Sequence, residues 1–273
     1  MRWSKIKNII LLLLVVVNVC LLVMVGLRAG RTARSERETR ERMITILERG
    51  GIAFAPEEVP GAMPLSSLRV TASPMGEAEA ALLVGPVSKA ATVGSRTLYT
   101  GEKGTVTFSP TGEASAEFDA AAWPLDGTDA DQAGAELLEA LGLQVQEASR
   151  ETQGSTLRLT FTQLWEGTPV PDLAVTLTYQ DGALRQLSGR WLTGTAERTA
   201  GENLLTASTA LSRFLEALNK EGYVCSGITE MYAGYAAGGT GPVTLTPAWY
   251  IETDTWPWRY AVDAVTGAVT AAE

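Results

Sequence analysis

A run of nineteen uncharged residues, Ile9 to Leu27, constrains this chain before anything else does, and Asn18 is the only clearly polar side chain in it. At 1.5 Å of rise per residue, a helix of that length reaches about 28 Å, roughly the hydrocarbon thickness of a bilayer. A helix satisfies its backbone donors and acceptors internally, so a single span through lipid is physically admissible. The sequence therefore predicts residues 1–8 as a cytoplasmic leader and residues 9–27 as a transmembrane helix. Everything later is then a domain tethered to the membrane. A cleaved secretory signal is the competing reading, and its basic start is present in Arg2, Lys5 and Lys7. Such signals have an apolar centre of about 7–15 residues and a small-residue cleavage site. Here the run is longer and leads into GLRAGRTARSERETRER, a poor cleavage context. An uncleaved anchor fits better. Arg28, Arg31, Arg34 and Arg37 follow the run closely, so the positive-inside count does not set its orientation. The short basic leader favours an N-terminus inside and a large extracytoplasmic domain in the cell membrane. Asn18 has two readings. Its amide hydrogen-bonds a neighbouring membrane helix, for about 0.6–2 kcal/mol, or it is simply tolerated in so apolar a run.

The whole chain carries 22 basic and 31 acidic residues, no histidine and two cysteines. All the acids lie beyond residue 27, leaving 19 basic residues against 31 acidic ones there; from residue 50 onward the count is 12 against 27. A body this acidic lacks the basic face that nucleic acid requires. The arginine-rich stretch at 28–49 reads as a solvated helix with Glu36, Glu38, Glu41 and Glu48 as partners. Its other reading is a segment lying against anionic headgroups. Cys20 falls inside the apolar run and Cys225 far outside it, so no disulfide frames the fold. Cys225, in GYVCSG, reads as a small buried hydrophobe without a basic neighbour to activate it.

Periodicity predicts three successive α+β units. Residues 28–122 hold a juxtamembrane helix over 31–49, ended by Gly50-Gly51, and a first unit. That unit has strand candidates at Ile52–Ala55 and Leu68–Thr71, a short helix over 77–85, and strands at Ser95–Tyr99, Thr105–Ser109 and Glu113–Phe118. Residues 123–198 open on a helix capped by Asp129 or Asp131, with Leu137, Leu138 and Leu141 on one face. A meander follows, in which Gln180-Asp181-Gly182 is a hairpin signal. Residues 199–273 repeat the order, with an amphipathic helix over 202–221 closed by Gly222 and strands at 225–236, 244–253 and 259–263. Strands in runs without helices between them argue against parallel winding, so the expected class is α+β: tandem units of one helix on an antiparallel sheet.

The chemistry of sites is sparse. Without histidine there is no ordinary catalytic triad, no Cys-His pair and no histidine-ligated metal. GxSxG, SxxK, P-loop and dinucleotide-binding glycine patterns are missing too. Asp126, Asp129 and Asp131 loosely resemble a calcium loop but lack its glycine and terminal glutamate. No metal or other cofactor is expected, and a cryptic hydrolase would need converging carboxylates that no motif announces. Trp249, Tyr250, Trp256, Trp258 and Tyr260 concentrate near the end. They read as cross-strand core packing, or as an exposed patch that docks a partner, with Trp256 and Trp258 around Pro257 the exposed pair.

Two stretches carry a resemblance. The opening MRWSKIKNIILLLLVVVNVCLL, with Trp3, Lys5 and Lys7 before the run and Val17-Asn18-Val19 within it, resembles the start of the YycI family. These are regulatory proteins of the essential cell-wall sensor kinase of low-GC Gram-positive bacteria. Arg2 departs from the pattern, which has an acidic residue there. The closing PAWYIETDTWPWRYAVDAVTGAV is similar to that family's last strands and to PepSY-type modules, with Asp263, Ala264, Thr266, Gly267 and Val269 matching a D-A-x-T-G-x-V ending. The middle matches only in its helix-then-strands order. The resemblance implies a non-enzymatic, single-span regulator that associates with a sensor histidine kinase and a YycH-like sister protein. Asn18 and Gly26 would then set helix–helix contact, and the outer units would bias the kinase between two states. The alternative is a PepSY-like module that inhibits an envelope protease or holds a cell-wall ligand.

Overall fold

The computed structural model describes residues 13–15, 17–19, 24, 37–199, 201, 203–239 and 243–272. Within the apolar run, the described residues are helical and exposed. The rest of the run, with Gly26 and the leader, lies outside the described residues. No helix among those described is long and apolar enough to cross a membrane.

Among the described residues, two antiparallel sheets and four α-helices make up the α+β body. Helix α1 covers residues 37–49. It is followed by β1 (Leu68–Ala72), α2 (Glu77–Val84), β2 (Lys89–Val93), β3 (Arg96–Gly101), β4 (Gly104–Phe108) and β5 (Glu113–Phe118). Next come α3 (Ala130–Ala140), β6 (Gln144–Gln153), β7 (Thr156–Trp165), β8 (Thr168–Gln180), β9 (Ala183–Arg190) and β10 (Gly194–Arg198). The last elements are α4 (Ala207–Glu221), β11 (Ile228–Gly238), β12 (Val243–Thr253), β13 (Arg259–Asp263) and β14 (Val269–Ala272).

The strands do not divide into three sheets, as the sequence led us to expect. β2–β5 and β6–β9 form one eight-stranded sheet, ordered β2-β3-β4-β5-β9-β8-β7-β6. The join is β5 against β9, from Glu113 opposite Arg190 to Glu117 opposite Gln186. Ala114, Ala116 and Phe118 bury one face of β5, while its alternate residues, including Glu113 and Glu117, stay exposed. Their core is shared with Leu83 of α2 and Leu137 and Leu138 of α3. α3 lies close because Gly134 has no side chain: a Cβ there would meet Leu177 Cδ1 at 2.8 Å and Phe161 at 3.1 Å. Asp129 caps this helix by accepting from the Asp131 amide at 3.2 Å, and Asp131 pairs with Arg150 at 2.6 Å. The loose calcium pattern is thus used for a cap and an ion pair. At the β8–β9 turn, Asp181 and Gly182 both take positive φ, 51° and 77°, as the two-residue hairpin requires.

The second sheet is built around β12, which pairs β11 on one side and both β1 and β13 on the other. β10 extends it beyond β1, and β14 beyond β13. β1, expected in the first unit, therefore belongs here, between β10 and β12. So does α1: Ile44 and Leu47 share a core with Ala210, Leu211, Phe214 and Leu218 of α4 and with Trp249 of β12. Ile52–Ala55 is not a strand. Only Ala53 bridges, in parallel, to Gly227. β2 and β10 were not foreseen, because Lys89–Val93 and Gly194–Arg198 lack apolar alternation. α4 starts at Ala207, later than the periodicity suggested, because Thr206 caps it and accepts from the Thr209 amide at 3.3 Å. Gly222 ends it in the left-handed conformation.

The sheets meet where β8 runs beside β11. Val170, Leu173, Tyr235 and Leu245 pack together there, and the Ala237 amide donates to Asp172 Oδ2 at 2.8 Å.

Candidate interaction surface

Most late aromatic residues are structural. Trp249 and Tyr250 are 0% and 1% exposed, on opposite faces of β12 as strand alternation demands. The Trp249 indole donates to Leu205 O at 2.8 Å and fixes the lead-in to α4. Tyr250 donates to Tyr235 O at 3.0 Å, and its ring stacks on Tyr232 at 5.4 Å. Burial raises the pKa of Tyr250, and it pushes Tyr232 and Tyr260 up to about 12.

Trp256 and Trp258 behave differently. They are 57% and 58% exposed, and Val224 beside them is 79% exposed. These three exposed apolar side chains thus lie on the α4–β11 connection and the β12–β13 turn, two loops that meet at one end of the body. Both loops are held in place. Asp254 accepts from the Ser226 hydroxyl at 2.5 Å and from its amide at 3.2 Å, while Thr255 donates to Val224 O at 2.6 Å. The Ser226 hydroxyl, followed by backbone amides, holds the Asp254 carboxyl below its ordinary pKa. The Thr253 hydroxyl donates to Pro257 O at 2.8 Å and closes the turn. Tyr223 meets Trp256 edge-on at 6.2 Å and leads inward to Tyr260 at 6.2 Å.

Cys225 lies under this cluster, buried, its thiol donating to Gly227 O at 3.2 Å. Burial, chiefly, pushes the thiol pKa up to about 11, the opposite of the depression that activates a cysteine.

The cluster's place follows from the helices. Thr39 and Arg40 of α1 border one hollow with Thr206, Ala207 and Ser208, so α1 and α4 begin at the same end. Past α1, Ala53 bridges to Gly227, beyond the end of α4. The helices run side by side in one direction. A helix of α1's described length spans about 20 Å, which puts the tryptophan end about one α1 length from the first described turn of that helix.

The D-A-x-T-G-x-V ending also has a physical reading. Asp263 Oδ1 accepts from the amides of Val265 and Thr266, each at 2.8 Å. Gly267 takes φ 75° and donates to Asp263 O at 2.8 Å, and the Asp263 amide donates to Ala268 O at 2.9 Å. This is a tight turn closed by a glycine bulge, and it sets the register of β14 on β13. Next to β14, a groove of about 390 Å³ runs along α4, bordered by Arg213, Ala217, Lys220, Tyr223, Tyr260 and Ala271.

Of the sequence-predicted contact residues, Trp256 and Trp258 come together at this end. Asn18 is far off in sequence, and its amide donates to Leu14 O at 2.9 Å, one turn back on its own helix. Gly26 lies outside the described residues. Val224, Tyr223 and the groove were missed: Val224 is one apolar residue in a loop, and only tertiary packing makes the groove. Among the described residues no group of three His, Cys, Asp or Glu side chains is arranged to hold a metal.

No family model matches the chain, and no curated protein does. Among solved structures, it is similar to an uncharacterized protein from Eubacterium rectale, with a TM-score of 0.50 and 12% identity over 76% of this chain and 86% of that one. That likeness is one of fold. The C-terminal domain of YpeB from Bacillus megaterium is also similar, with a TM-score of 0.36 and 11% identity over 68% of this chain and 88% of that one.

Proposed function

We propose that the chain is a non-enzymatic, membrane-anchored regulator with its body outside the cell. It binds a cell-wall sensor histidine kinase together with a single-span sister protein, and biases the kinase between two states. The observation that carries this reading is that Val224, Trp256 and Trp258 are left bare on two loops at the end of a sheet whose large aromatics are packed. Trp is favoured at binding hot spots. If residues 9–27 lie in the bilayer, the cluster is carried about 20 Å along α1 away from the first described turn of that helix. A protein is then a better occupant for it than lipid headgroups. The opening and closing sequence resemblances point the same way. Anchoring adds a second contact, through Asn18 and Gly26, in which small and polar residues let membrane helices approach.

The test has two parts, both read as kinase phosphorylation in cells. One replaces residues 9–27 with an unrelated apolar helix. The other changes Trp256 and Trp258 to Ser in the full chain. The proposal expects each to shift kinase output at unchanged protein level. Unaltered output in both would sink it.

A second reading has one observation in its favour. The groove beside β14 is bordered by Tyr260 and sits on the strands that resemble a PepSY-type module. A module that inhibits an envelope protease or holds a cell-wall ligand would use that groove in place of the tryptophan end.

A further inference from the structure

We propose that the groove between α4 and β14 binds an extended polypeptide segment of a partner protein, which joins the second sheet as an added strand. The inference goes beyond the kinase-regulator reading and does not depend on it.

The hydrogen-bond phase of the last hairpin carries the argument. Asp263 and Ala268 form a bonded pair at the turn. Bonded and non-bonded pairs alternate along an antiparallel ladder. Ala261 with Thr270 and Arg259 with Ala272 are therefore bonded, and Val262 with Val269 and Tyr260 with Ala271 are not. The amides and carbonyls of Val269 and Ala271 then point away from β13. Among the described residues no strand pairs with that side of β14. An open edge of this kind is a template for another backbone.

Beside the edge there is room for one. The groove has a wall of α4 side chains on one flank and Val269 and Ala271 on the other, in about 390 Å³. Tyr223 and Tyr260 border it, and their ring contact leads on to Trp256. The charges on the α4 wall neutralise each other: Arg213 pairs with Glu216 at 3.0 Å and Lys220 with Glu221 at 3.6 Å. The wall thus selects no net charge, and the tyrosines favour an aliphatic or aromatic side chain. The occupant is an uncharged extended segment, bonded through its backbone at two alternate positions and anchored by one apolar residue against the tyrosines.

A displayed library of random heptapeptides, panned against the full chain in detergent micelles, tests this. Amide hydrogen exchange follows with and without an enriched synthetic peptide. We expect the peptide to slow exchange at Val269 and Ala271 at least tenfold. Ala271→Pro removes an outward amide that the ladder does not use, and should weaken binding at least tenfold while circular dichroism stays unchanged. Should that variant unfold, Ala217→Trp fills the groove from the helix side and should weaken binding to the same degree. The proposal is overturned if no peptide is enriched or if enriched peptides leave both amides unprotected. It is equally overturned if peptides bind the variants as well as the parent, or if the edge is protected without peptide by a second copy. Substituting Trp256 and Trp258 with Ser probes the regulator reading separately, because neither residue borders the groove.

Discussion

At the scale of single residues, the body rests on close packing and a few buried polar contacts. Gly134 permits α3 to approach the first sheet, and a larger side chain there meets Leu177 and Phe161. Gly134→Leu is expected to lower stability by about 1–3 kcal/mol, the usual cost of overpacking, measured by urea unfolding. Trp256 and Trp258 are the opposite case: as exposed residues, their change to Ser should leave the urea midpoint nearly unmoved. The buried acids give a pH prediction. The Cys225 thiol is raised to about 11, and the Tyr179, Tyr232 and Tyr260 phenols to about 12. Each is held protonated by the fold beyond the pH at which it ionises in the unfolded chain. Their contribution is therefore complete below pH 9.0 and drains away as pH rises towards 11 and then 12. Unfolding midpoints should be insensitive to these groups near neutrality and fall steeply above pH 10. A flat profile to pH 12 would show that burial does not hold these protons.

At the scale of elements, α1 matters most. It lies next to the expected span in sequence, yet Ile44 and Leu47 sit in the core of the second sheet with α4. Leu47 is fully buried, so Leu47→Ala should cost about 2–5 kcal/mol, and the loss should appear in the second sheet's protection from hydrogen exchange. The sequence disclosed local elements well and their partners poorly. Leu157, Leu159 and Phe161 announce β7 by alternation, Gly222 closes α4, and Asp181-Gly182 marks its hairpin. The pairing of β5 with β9, and of β1 with both β10 and β12, joins strands far apart in the chain. No periodicity encodes such register, so the sequence suggests three units where the strands make two sheets. The same limit applied at the surface. Trp256 and Trp258 could be singled out because Pro257 between them suits a turn. The groove depends on where α4 lies over β14, which no local pattern records.

At the scale of the whole molecule, the tryptophan end and the start of α1 lie at opposite ends of one helical layer. That layout suits a body that is tethered at one end and docks at the other. The claim is tested most directly by placing a photoreactive residue at position 256 in the full chain, crosslinking in native membranes, and identifying what is captured. We predict a sensor histidine kinase or a single-span sister protein, with capture lost when Trp258 is changed to Ser. Capture of only lipid, a protease or cell-wall glycan at that position would contradict the account.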